Sequence, residues 1–182
     1  RVAGNIHRAS RRIQQMLQDL LDLSKGRAGS REVCSIREVV DAAVEAYSAE
    51  SERHGVRVEV SLPEDLEAAV ERARMERVFS NLIGNALEAM PHGGAIRIVG
   101  HRENGAMLVE VSDTGPGIPA EIGDQLFQPF ATAGKKSGLG LGLALSRQTV
   151  LEHGGDIWAG AAEGGSAKFS VKLPVCVTEP RA

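Results

Sequence analysis

The chain has 182 residues and a formal net charge of −3, with 42% hydrophobic and 25% charged residues. This is the composition of one globular domain with a real core plus an extension, and it excludes the strongly basic surface of a nucleic-acid binder. No apolar run approaches the ~18 residues of a membrane helix, and no signal peptide is visible.

Residues 2–25 are predicted to form one amphipathic helix. Ile6, Ile13, Leu17, Leu20 and Leu21 recur at helical spacing, with Arg8, Arg11, Arg12, Gln15 and Gln18 between them. Its stop is expected near Gly26 and Gly29, and a polar linker follows. A second helix is predicted over 35–54, with Ser35 as N-cap and Glu38 three residues later. Residues 56–62 (VRVEVSL) alternate like a strand, and Leu66 to Val70 read as a short second one. Residues 72–90 are strongly helical, ending before Pro91 and a Gly93-Gly94 turn. Residues 95–101 and 106–113 read as a hairpin turning at Glu103-Asn104-Gly105. Most irregular sequence lies in 114–138. A helix over 140–153 closes at Gly154-Gly155, and 156–161 and 167–173 form a second hairpin across Glu163-Gly164-Gly165. The expected fold is α/β: a two-layer sandwich with a mixed, mostly antiparallel sheet, helices on one face and one long helix in front. The expected division is 1–28 helix, 35–174 domain and 175–182 tail. Arg1 in first place suggests a piece of a longer protein. Cys34 and Cys176 have no metal-ligand spacing and fit a reduced, cytoplasmic setting.

Three stretches carry chemistry. In SGLGLGLAL (137–145), Gly138, Gly140 and Gly142 precede a helix, although glycine costs roughly 1 kcal/mol against alanine inside one. Glycines there let the backbone approach a ligand, and the helix N-terminus attracts anions. Taken alone, the run fits either a phosphate site or a loop with a tight helix–sheet contact. In DTGPGI (113–118), Asp113 ends a strand, and Gly115 and Gly117 permit a sharp backbone path. A carboxylate only accepts hydrogen bonds, so a donor such as an exocyclic amine suits it; an ordinary Asp-Gly turn is the other reading. In ERVFSNLIGNALEA (76–89), Asn81 and Asn85 are four apart and share a helix face. Their oxygens suit Mg²⁺ together with phosphates and waters, or they simply hydrogen-bond to core backbone.

In combination these stretches are more specific. Asn81/Asn85, Asp113-x-Gly-x-Gly117, Phe127-Gln-Pro-Phe130 and Gly138-x-Gly-x-Gly142 occur in that order. Together they resemble the N, G1, F and G2 boxes of the histidine-kinase catalytic domain, of the GHKL ATP-binding superfamily and its Bergerat fold. The resemblance covers roughly 35–174. Residues 18–26 (QDLLDLSKG) resemble the end of the second helix of the kinase dimerisation hairpin.

The resemblance implies roles. Asp113 receives the adenine amino group, with Gly115, Gly117 and Ile118 shaping its pocket. Asn85 holds Mg²⁺, with Asn81 beside it near the phosphates. Gly138, Leu139, Gly140, Leu141 and Gly142 bring backbone N–H groups to the phosphates. Residues 119–137 form an ATP lid anchored by Phe127 and Phe130. Lys135 and Lys136 are lid cations, or else solvated loop lysines. ATP and ADP are the implied ligands. For the full-length protein, a response regulator receiver domain and a second copy bound through the N-terminal helix are the implied partners.

Two departures stand out. The family's acceptor histidine is followed by an acidic residue and, soon after, a proline. Here Arg8-Ala9-Ser10 follow His7 and the first proline is Pro63, so the acceptor helix is expected upstream of Arg1. Where the family often has a threonine before the last hairpin's phenylalanine, Ala167 precedes Phe169; the hydroxyl contact near Asp113 is lost or passes to Ser166. The resemblance implies a protein-histidine kinase fragment. The alternatives are a chaperone- or repair-type ATPase, whose water-activating glutamate would stand where Asn81 is, and a non-catalytic scaffold.

Overall fold

The computed structural model describes residues 29–131 and 140–176. The expected helix over 2–25, the last six residues and Lys135, Lys136, Gly138 and Leu139 lie outside the described residues.

Two strands, β1 (Glu32–Ser35) and β3 (Glu67–Val70), pair antiparallel in a small sheet of their own. Between them run α1 (Ile36–Ala46), α2 (Ser48–His54) and β2 (Val56–Ser61). Then come α3 (Arg72–Ala89), β4 (Gly94–Glu103) and β5 (Ala106–Asp113). After a short 3₁₀ turn (Ala120–Gln125) the chain forms α4 (Gly142–Glu152), β6 (Asp156–Ala161) and β7 (Ala167–Pro174).

The main sheet has the order β2-β4-β5-β7-β6. Only β2 and β4 run parallel; the other pairs are antiparallel. The mixed, mostly antiparallel sheet read from the sequence is therefore present. The β4–β5 hairpin turns at Asn104 and Gly105, with φ of +50° and +77°. Two positive φ values match the right-handed strand twist, which is why Asn-Gly serves there. Along β5, Met107, Val109, Val111 and Asp113 are buried in strict alternation. One face thus meets the helices, and Asp113 lies on that same inner face.

The longest helix among the described residues, α3, shows how sequence sets packing. Met75, Val78, Phe79, Leu82, Ile83, Ala86 and Leu87 are all buried, at the three- and four-residue steps of one stripe. Asn81 and Asn85 lie half-buried beside it. Helix α1 supplies Ile36, Val39, Val40 and Ala43 to the same core, capped by Ser35, whose hydroxyl accepts from the Glu38 N–H at 3.5 Å.

Three local readings are corrected. The single helix expected over 35–54 breaks at Tyr47, whose φ and ψ are −109° and 5°. The break lets the tyrosine reach α3, where its hydroxyl lies 2.9 Å from the position a Cβ on Gly84 would take. Strand β1 was not anticipated; its four residues depend on pairing with β3, a partner remote in sequence. Helix α4 starts at Gly142, two residues later than expected, because Gly140 has a φ of +67°. That left-handed conformation suits glycine and is incompatible with a continuing right-handed helix.

The start of α3 and the end of α4 are tied together. His153 is buried; its Nδ1–H donates to the Thr149 carbonyl at 2.7 Å, so its Nε2 is free to accept from the Glu71 N–H at 3.0 Å. Arg74 bridges Glu71 at 3.1 Å and Glu152 at 2.5 Å. Burial works against the charge of Glu152, but hydrogen bonds from Gln148 and Arg74 outweigh it and hold the carboxyl below its ordinary value. Replacing His153 by alanine leaves a backbone donor at the N-cap of α3 without its acceptor. Such a loss costs about 1–3 kcal/mol, and a urea titration should show a lower midpoint with an unchanged slope.

Candidate functional site

Helix α3 carries a stripe of Asn81, Asn85 and Ala89, spaced by four residues and so stacked along one face over about 12 Å. Its two ends meet two different loops, and those contacts define the site.

At the far end is the loop after β5. Asp113 is 7% exposed, and its Oδ1 accepts from the Gly115 N–H at 2.8 Å. A Cβ on Gly115 would stand 3.0 Å from that oxygen, 3.3 Å from Met90 and 3.4 Å from the Ala89 side chain. The loop therefore rests on the end of α3, and a side chain at Gly115 would be tightly packed against it. Gly117 has a φ of +81°, and a Cβ there would lie 2.2 Å from the Gly165 carbonyl oxygen. Gly117 thus lets the Asp113 loop press against the β6–β7 turn, where Ser166 is buried. Ile118 packs partly buried on the core. Gly117→Ala combines backbone strain with a clash against main chain. We expect it to destabilise the fold by about 2 kcal/mol or more, read as a drop in thermal midpoint.

At the near end is the start of α4. The Asn81 Nδ2 donates to the Ser146 Oγ at 3.1 Å. A Cβ on Gly142 would lie 2.2 Å from the Asn81 Oδ1, so the carboxamide occupies space that only glycine leaves open. Gly140 is held by main chain: its carbonyl accepts from the Phe130 N–H at 2.9 Å, and a Cβ on it would meet Phe130 and Ala131 backbone below 3 Å. Leu141 is buried in the core and anchors the segment, leaving its backbone at the helix start. Among the described residues helix α4 has no side-chain cap at its N-terminus, and a helix start of this kind suits an anion.

The two phenylalanines of the intervening segment differ. Phe127 is half-buried and packs edge-on to Phe169, with ring centroids 6.5 Å apart, while the Arg147 guanidinium lies 5.7 Å from its ring centre. Phe130 is 70% exposed and has a φ of +67°. It meets Gly140 through backbone, so Phe127 alone serves as the ring anchor expected of both. Among the described residues no group of three or more acidic, histidine or cysteine side chains could hold a metal ion by itself. No helix among them is long and apolar enough to cross a membrane.

Of the described candidates, Gly115 meets the end of α3 at Ala89 and Met90 and holds the Asp113 carboxylate, while Gly142 meets Asn81; Gly117 lies against the β6–β7 turn, Ile118 packs on the core, and Phe130 joins Gly140 through backbone. Ser146 and Arg147 were missed. Helical spacing contained the signal for Ser146, which lies four residues after Gly142 and so on the same face.

Residues 70–176 match the family described as histidine kinase-, DNA gyrase B- and HSP90-like ATPases. The chain belongs to this family. As a histidine kinase-, gyrase- and HSP90-like ATPase domain it has relatives that are histidine kinases. It is 34% identical over 179 residues to histidine protein kinase DivJ of Caulobacter vibrioides, an alignment covering 93% of this chain and 30% of DivJ. The catalytic domain of histidine kinase ThkA is 28% identical with a TM-score of 0.74, covering 81% of this chain and 97% of that one. ThkA in complex with the response regulator protein TrrA matches with a TM-score of 0.79 and 26% identity, over 95% of this chain and 50% of that one. The chain spans less than a third of the length of the curated relatives DivJ, KinB and DctB.

Proposed function

We propose that residues 35–174 form the Mg-ATP-binding catalytic domain of a sensor histidine kinase, which presents the γ-phosphate to a histidine on a separate helix. The observation that carries this is the Asn81–Asn85–Ala89 stripe, joined at one end to a buried strand-end carboxylate and at the other to the start of α4, which no side chain caps among the described residues. A base with an amino group fits the first end, and phosphates fit the second.

The residues divide the work. Asp113 accepts from the exocyclic amine, and Gly115 and Gly117 keep the loop close. The α4 N-terminus and the backbone of Gly140, Leu141 and Gly142 bind phosphate oxygens. The donor set also fits Mg²⁺: the Asn85 amide oxygen can share the ion with phosphates and waters, and the lack of an acidic cluster among the described residues makes the ion depend on the nucleotide. Bound Mg²⁺ would neutralise charge on the phosphates. Catalysis here is positioning and charge neutralisation, as in phosphoryl transfer generally.

Asn81 also favours transfer over hydrolysis. An amide cannot take a proton from water at neutral pH, and its nitrogen is committed to Ser146. In the whole protein, residues 1–28 belong to a dimerisation hairpin, a second copy completes a four-helix bundle, and a receiver domain takes the phosphoryl group onward. Calorimetric titration with a non-hydrolysable ATP analogue plus Mg²⁺ tests the core of this reading. We expect one site per chain, no heat from Mg²⁺ alone, and heat from ADP; a chain that binds none of these nucleotides is not this enzyme.

A further inference from the structure

We propose that Ser146 is a positioning residue of the phosphate end of the site: its hydroxyl sets the orientation of the Asn81 carboxamide, turning the amide oxygen toward the start of α4. The inference rests on the nucleotide reading above, because it gives the oriented oxygen its purpose.

An asparagine side chain has two ends of similar shape and opposite hydrogen-bonding character. Left to rotate, it presents either an acceptor or a donor to whatever binds beside it. Two contacts remove that freedom. The nitrogen end donates to the Ser146 Oγ at 3.1 Å, and Ser146 is 4% exposed, so water does not compete readily for the hydroxyl. The other end faces Gly142. A Cβ there would lie 2.2 Å from the oxygen, 2.9 Å from Cγ and 3.1 Å from the nitrogen, so the oxygen is the nearest atom. The amide is thus held between a hydroxyl that takes its donor and a glycine that admits its oxygen.

Both contacts come from the first turns of α4, and Asn81 comes from α3. The carboxamide therefore registers the two helices whose residues bracket the phosphate end. Without the hydroxyl, the carboxamide can flip and present its N–H₂ toward the start of α4, where Gly142 backbone also supplies donors. The phosphate end then loses an acceptor for waters of a hydrated cation. The effect is on nucleotide in the presence of Mg²⁺, and is smaller on nucleotide without it.

The test is a double-mutant cycle on the whole chain, titrated with a non-hydrolysable ATP analogue with and without Mg²⁺. Removing one hydrogen bond at a half-buried site corresponds to a three- to tenfold change. Ser146→Ala should weaken binding by that factor with Mg²⁺ and by less than twofold without it. In an Asn81→Ala background the same substitution should change nothing, because the group it positions is gone. Ser146→Thr, which keeps the hydroxyl, should restore binding to within twofold of the parent chain. An unchanged affinity in Ser146→Ala, or an equal loss in both backgrounds, overturns the positioning role while leaving the nucleotide site intact. Equal losses with and without Mg²⁺ overturn it as well. Failure of the parent chain to bind any nucleotide overturns both readings.

Discussion

The chain incubated by itself with labelled Mg-ATP will bind nucleotide and carry no phosphoryl group. The residues proposed to face the nucleotide, from Asn81 to Gly142, are present in sequence, but no histidine is followed by the acidic residue and proline of the family's acceptor pattern. Hydrolysis will be slow too, since Asn81 cannot serve as a base. Adding a dimerisation hairpin that carries an acceptor histidine should turn labelling on, from background to a stoichiometry limited by the hairpin. Acid-labile, base-stable label on His7 in the chain alone would show that the N-terminal segment has been misread. An unlabelled hairpin alongside measured ATP binding would favour a scaffold.

Asp113→Asn should weaken adenine-nucleotide binding by roughly 10- to 100-fold, the range of a charge-assisted hydrogen bond of about 1.5–3 kcal/mol. The substituted amide can still accept from the Gly115 N–H through one atom. Its other terminal atom becomes a donor, and cannot receive an amino group. The fold should persist, because the swap is nearly isosteric. A nucleotide lacking the exocyclic amine should bind the variant and the parent chain almost equally. An affinity for ATP unchanged in the variant removes Asp113 from the base-binding role.

Much of this architecture was legible because its signals are local. Helix α3 repeats its apolar residues at helical steps from Met75 to Leu87, and the Asn104-Gly105 turn sets the β4–β5 hairpin. Asp113 was placed at a strand end by alternation alone. What escaped depends on contacts remote in sequence. Strand β1 has too few residues to show a period and exists through β3. The break at Tyr47 serves a contact with Gly84 on another helix. The resemblance makes Phe130 an anchor, yet its backbone takes a left-handed turn to reach Gly140 and its ring is exposed to solvent. Ser146 lay in plain view as a helical serine, and only the approach of α3 gives its hydroxyl a partner.

Trp158 is the chain's one tryptophan. It sits on the edge strand β6, paired with Ser170, one residue from the inward-facing Ile157 and so on the opposite side of the sheet from α3 and α4. At 41% exposure it already sees water in the folded state. Its fluorescence is therefore an optical probe of the β6–β7 edge and not of the site. Emission will follow detachment of that edge during denaturation, while nucleotide can come and go behind the sheet almost unseen. An optical assay of occupancy has to use a fluorescent nucleotide, or an indole introduced on the helical side.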